Sequence, residues 1–213
     1  MLRFAVFVSG FGSNLQAVID AVKKGTIKAE LALVFSNSAK AKGLERAKEA
    51  GIKTFFLDPK SYAAPQSYDR EVVIQLKAEK IDFIVLAGYM RMLTPWFVNQ
   101  YPNKIINVHP SLLPAFKGAE GIKDTFTYGV KVAGASVHFV DEKTDHGPII
   151  LQAAFKVKEK ETLESLSSRV HKIEHKILPK AVRLFAEGRL KVTGRKVVIA
   201  EKPRQQSSIT VDG

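Results

Sequence analysis

From its first residues to about residue 109, this 213-residue chain alternates apolar runs of strand length with segments of helical period. That rhythm limits the fold more than any other feature. "RFAVFV" (3–8), "ELALVFS" (30–36), "TFFL" (54–57), "DFIVLAG" (82–88) and "KIINVH" (104–109) are short and rich in β-branched and aromatic residues. Between the first two, Leu15, Val18, Ile19 and Val22 recur at helical spacing. "KAKGLERAKEAG" (40–51), closing on Gly51, and "YDREVVIQLKAEK" (68–80) repeat that period. Strand and helix in alternation predict a parallel sheet covered on both faces.

After His109 the pattern changes. "PSLLPAFKGAEG" fits neither period and is longer than a connector needs, so it reads as a functional loop. "VAGASVHFV" (132–140) and "PIILQAAFKV" (148–157), joined by the polar turn "DEKTDHG", read as strands whose antiparallel pairing adds a mixed edge. Leu163, Leu166, Val170, Ile173 and Ile177 then stripe a long amphipathic helix, which Pro179 is expected to kink or whose first half it is expected to end. "RLKV" and "KVVI" read as small edge strands. The fold class expected is therefore α/β, with a Rossmann-like, mostly parallel central sheet, helices on both faces and an antiparallel edge. No internal repeat or compositional break divides the chain, so residues 1–199 read as one domain and 200–213 as a loose tail.

The chain has no cysteine, which excludes a disulfide framework and a Cys-ligated zinc, and fits a reducing, cytoplasmic setting. No stretch approaches the roughly 20 apolar residues of a membrane span, and the N-terminal run reads as a strand, not a signal peptide. The formal net charge is +12, with Arg189, Lys191, Arg195, Lys196, Lys202 and Arg204 facing one acid, Glu201, near the C-terminus. That run lacks the interleaved aromatics and the motifs of a nucleic-acid binder, and reads as a solvated extension. A basic field also attracts phosphorylated or polyglutamylated small molecules.

"SGFGSN" (9–14) places two glycines between a strand and a helix. Such a turn offers backbone N–H groups and the positive end of a helix to an anion; it equally fits a tight connection capped by Ser13 or Asn14. A dinucleotide fingerprint needs a third glycine where Leu15 stands and an acid where the second strand ends in "FSNS", and a Walker lysine is absent. A phosphate monoester suits the turn better. In "INVHPSLLP", alternation puts Asn107 and His109 on one strand face at its carboxyl end. An amide and an imidazole there can stabilise an oxyanion and move a proton, or simply close a strand end with hydrogen bonds. Ser111 lacks the Gly-x-Ser-x-Gly elbow of a hydrolytic nucleophile. Ser136 and His138 share a face of their strand. Asp145, in "TDHGP", would favour the charged form of His109 if near it, or make an Asx turn if not. His146 has no evident role. His171 and His175 stand one helical turn apart without a third metal ligand, and fit a surface helix better than a metal site.

"SGFGSNLQAV", "LAGYMRMLTP", "INVHPSLLPAFKG", "SVHFV" and "DHGPIILQ", in this order and spacing, resemble the folate-dependent phosphoribosylglycinamide formyltransferase family over nearly the whole chain to about residue 199. The resemblance implies the formyltransferase fold, with a nucleotide-binding half at about 1–100 and a folate and catalytic half at about 101–199. It implies transfer of the formyl group of 10-formyltetrahydrofolate, the co-substrate, to the amine of glycinamide ribonucleotide in purine biosynthesis. Gly12, Ser13 and Asn14 match the family's phosphate loop and Glu174 its ribose ligand. Met90, Arg91, Met92 and Leu93, with Val140, Asp141 and Asp145, match the folate site. Asn107, His109 and Asp145 match the catalytic trio, supported by Ser136 and His138. The apolar members of 90–93 equally fit an ordinary core, and Glu174 a helix surface. Neither a metal, a membrane nor a nucleic acid is implied, and the state is monomer or homodimer. One departure is visible: where many relatives carry a base for the folate glutamate tail, this chain has Pro65, Gln66 and Ser67, leaving Lys117 or another base to meet it. The rival readings are a formyltetrahydrofolate hydrolase and a non-catalytic nucleotide- or RNA-binding module.

Overall fold

The computed structural model describes residues 1–201. Among the described residues nine strands form one sheet: β1 (Arg3–Val8), β2 (Glu30–Ser36), β3 (Thr54–Phe56), β4 (Phe83–Leu86), β5 (Ile105–His109), β6 (Val132–Phe139), β7 (Ile149–Lys156), β8 (Leu190–Thr193) and β9 (Lys196–Ile199), in the order β3-β2-β1-β4-β5-β6-β7-β9-β8. The first five are parallel; β6 runs antiparallel to β5 and β7 to β6, the expected mixed edge. The expected small strands form the β8–β9 hairpin, which joins the sheet through Ile149 and Lys196. The expected loose tail lies, from residue 202, outside the described residues.

Alternation along β1 explains the two cores. Phe4, Val6 and Val8 point to one face, where α1 (Ser13–Lys23), α2 (Lys42–Glu49) and α6 (Leu163–Ala186) bury Leu15, Leu44, Leu166 and Val170. Ala5 and Phe7 point to the other, where α3 (Pro65–Ala78) and α4 (Pro95–Gln100) bury Tyr68, Val72 and Phe97. Phe7, Phe35 and Tyr89 meet there ring to ring.

Four local readings are corrected. α3 starts at Pro65, not residue 68, because proline suits the first helical position. α4 and α5 (Gly121–Tyr128) were not foreseen, being too short to establish a period. Neither Ser13 nor Asn14 caps α1: Gly12, at φ 77°, is the capping residue, and no side chain bonds the helix start. Finally, α6 does not end at Pro179. Leu178, Ala181, Val182 and Leu184 continue its buried stripe, and that burial outweighs the roughly 3 kcal/mol that an interior proline costs.

Candidate active site

The order of the parallel strands reverses between β1 and β4, the switch point at which open α/β sheets leave a crevice beyond their carboxyl ends. Two adjoining cavities occupy that edge and share Gly88 and Met90 on their walls. The smaller, about 290 Å³, is lined by Met90, Arg91, Met92, Leu93, Asn107, His109, His138, Val140, Asp141 and Asp145 among others. The larger, about 780 Å³, is lined by Ser9–Asn14, Ser168, His171, Lys172 and His175.

Antiparallel pairing of β5 and β6 sets Asn107 opposite His138 and His109 opposite Ser136. The Asn107 amide lies 3.1 Å from His138 Nε2 and donates to Asp145 Oδ1 at 3.4 Å. His109, 4% exposed, places Nδ1 3.3 Å from Asp145 Oδ2 and Nε2 2.8 Å from the Phe116 carbonyl oxygen. Both ring nitrogens thus face acceptors, the arrangement a doubly protonated imidazole needs. His138 Nδ1 lies 2.8 Å from the Phe139 carbonyl, which leaves Nε2 toward Asn107 and Asp145.

Asp145 is the hub. Its backbone sits at φ 45°, in the left-handed region that aspartate tolerates better than most residues. The next residue but one, Gly147, lies where a Cβ would stand 1.8 Å from the Phe139 carbonyl, so the turn returns to the sheet through a point only glycine passes. Burial pushes the Asp145 carboxyl up. The hydrogen bond to His138, the Gly118 N–H at 2.8 Å and the charges of His109 and His138 outweigh that and hold it below the ordinary carboxylate value.

Ser136 does not join this cluster. Its hydroxyl donates to the Ser111 carbonyl and accepts from Leu113 N–H and Gln152, pinning the irregular segment after β5. Ser111 donates to the Ala115 carbonyl within the same segment.

The glycine turn closes against α2. A Cβ on Gly12 would stand 2.7 Å from Gly43 Cα, and Gly43 itself packs on Val8. Asn14 donates to Glu174 Oε2 at 3.1 Å, and His171 Nδ1 lies 2.8 Å from the same oxygen. That hydrogen bond raises the His171 pKa although burial opposes it; burial lowers that of His175. Glu174 is buried, not on a helix surface. His146 pairs with Asp141 at 2.7 Å, beside Arg195. Lys117 is exposed and off the cavity wall, whereas Arg91 and Lys143 line it. The sequence reading missed Ser9, whose hydroxyl accepts from Met90 N–H at 2.8 Å and donates to Asn37 at 2.6 Å, and the Phe116 carbonyl; no local pattern marks either. Among the described residues, no three His, Asp or Glu side chains group to hold a metal ion, and no helix is long and apolar enough to cross a membrane.

A crossover α/β sheet with buried titratable groups clustered at its carboxyl edge is an enzyme's arrangement. The chain belongs to the formyl transferase family, whose model matches residues 2–182. It is 43% identical over 183 residues to the phosphoribosylglycinamide formyltransferase of Bacillus subtilis (strain 168), spanning 86% of this chain and 94% of that protein. Identity to the Escherichia coli (strain K12) protein of the same name is 43% over 191 residues, 90% of each chain. The solved structure of glycinamide ribonucleotide transformylase 1 from Symbiobacterium toebii superposes with a TM-score of 0.92 at 47% identity, covering 94% of this chain and 95% of that one.

Proposed function

We infer that this chain is a phosphoribosylglycinamide formyltransferase: it transfers the formyl group of 10-formyltetrahydrofolate to the primary amine of glycinamide ribonucleotide in purine biosynthesis. The observation that carries the reading is the pair of adjoining cavities, one holding the Asn107–His109–Asp145 cluster and the other the glycine turn with Glu174. The ribonucleotide phosphate sits on the turn at Gly12, Ser13 and Asn14, where the start of α1 carries no side-chain cap. Glu174 accepts from the ribose hydroxyls. The pterin lies along Met90–Leu93 and Val140–Asp141, in a cavity whose apolar walls and few polar groups suit a flat heteroaromatic ring.

The amine attacks the formyl carbon, and charge develops on the formyl oxygen. Asn107 and the protonated His109 donate to that oxygen, more strongly as the charge grows. Because its neighbours hold Asp145 ionised, it sustains the imidazolium and, through water, takes the proton the amine sheds; it returns one to the folate nitrogen as the bond from that nitrogen to the formyl carbon breaks and the carbonyl re-forms. His109 Nε2 faces Phe116 in this arrangement, so the 110–121 loop gives up that carbonyl as it closes over the substrates, excluding water. Residues 1–199 act as one unit, each cavity drawing on both halves of the chain. The setting is cytoplasmic, and the active form a monomer or homodimer.

The test is to incubate the protein with 10-formyltetrahydrofolate, with and without glycinamide ribonucleotide, following deformylated folate and formylated nucleotide together, alongside His109→Ala. Stoichiometric formylation that the mutant loses supports the assignment. Equal deformylation without nucleotide would mark a hydrolase, and no turnover a binding module.

A further inference from the structure

The segment that lines the smaller cavity from Met90 to Leu93 is held at both ends by side chains. At its start Ser9 accepts from Met90 N–H, and at its end Asp69 Oδ2 accepts from Thr94 N–H at 2.8 Å. Ser9 lines the larger cavity itself, but Asp69, on α3, lines neither.

Asp69 is a costly residue where it stands. It is 1% exposed, beside Tyr68 and the apolar cluster of Phe97, Val72 and Val73, and among the described residues its Oδ1 has no hydrogen-bond partner. A buried carboxylate with one oxygen unsatisfied is disfavoured unless its other oxygen does something an apolar residue cannot. The rest of the buried stripe of α3 is made by Tyr68, Val72, Val73 and Leu76. What Asp69 holds is Thr94, where the cavity segment ends and α4 begins: Thr94 Oγ1 accepts from Phe97 N–H and starts that helix. Arg91, within the segment, lays its guanidinium 4.5 Å from the Tyr68 ring centre, on the residue before Asp69. The segment therefore rests on α3 at two points, one a cation on a ring and the other a charged acceptor on a backbone N–H.

We propose that Asp69 is a positioning residue for the folate side of the site: by holding Thr94 N–H from beneath the cavity it sets the path of Met90–Leu93, and so the fit of the pterin. This rests on the assignment of folate to that cavity. The bond is charge-assisted and shielded from water, the setting in which a single contact fixes a backbone most firmly.

The test measures KM for 10-formyltetrahydrofolate and for glycinamide ribonucleotide separately. Asp69→Ala is expected to raise the folate KM about tenfold while the nucleotide KM stays within about twofold. Asp69→Asn, which keeps a carbonyl oxygen for Thr94, should restore most of the difference. Equal rises in both KM values, an unchanged folate KM, or an asparagine variant as impaired as alanine would overturn the inference. If Asp69→Ala does not fold, the bond is removed from the other side. Thr94, at φ −69° and ψ 155°, has a backbone that proline adopts, so Thr94→Pro deletes the N–H whereas Thr94→Ala keeps it. A folate KM raised by proline but not by alanine supports the role, and equal effects overturn it. A wild-type chain that formylates no nucleotide would overturn the functional reading and this one with it; an active wild type with an indifferent Asp69→Ala overturns only this one.

Discussion

The two cavities are built by opposite means. The smaller is built on side chains that fix one another: Asn107, His109 and His138 each reach Asp145 within 3.6 Å. The larger is built on backbone, a glycine turn pressed against α2, with the Asn14–Glu174–His171 contacts set against it from α1 and α6. The difference follows the sheet. Antiparallel β5 and β6 bring paired residues face to face, so chemistry can be assembled across the ladder. Parallel β1 ends in a loop and a helix start, which offer N–H groups suited to holding an anion. One cavity should fail by losing rate, the other by losing affinity.

The sharpest break is Asp145→Asn. Removing the charge that faces two imidazoles should lower kcat about a thousandfold, with the nucleotide KM little changed, in steady-state kinetics. Gly12→Ala comes next and should act the other way. A Cβ there meets Gly43 Cα and a left-handed backbone, so the variant should be destabilised by about 2 kcal/mol or more in thermal denaturation. Its nucleotide KM should rise at least about tenfold, with the folate KM nearly unaltered. The smallest effect is His171→Gln. The Glu174 hydrogen bond raises the His171 pKa above its ordinary 6.5. That contribution to stability is therefore complete below pH 6.5 and fades as pH rises through the raised value. His171 is half exposed, so the melting temperatures of wild type and variant should differ by only about 1–2 °C in acid and converge in alkali.

Much of this was legible in the sequence for reasons of period. The strands announce themselves because parallel strands buried on both faces are apolar throughout, and Asn107 and His109 share a face by alternation alone. That Asp145 meets them depends on the β6–β7 turn folding back, which the ordered motifs implied and no periodicity could. Asp69 was invisible: an acid in "YDRE" reads as the wet side of a helix, and the N–H it accepts from belongs to Thr94, 25 residues away. The helix runs on past Pro179 because a proline is a local signal, whereas the helix around it is held by packing on β5, β6 and β7.

Met90 belongs to the walls of both cavities, and it is 71% exposed. Its backbone is fastened to Ser9, yet the side chain is an unbranched thioether free to change rotamer in nanoseconds or less. The wall between the two cavities is thus a hinged screen on a fixed post, its backbone held and its side chain loose.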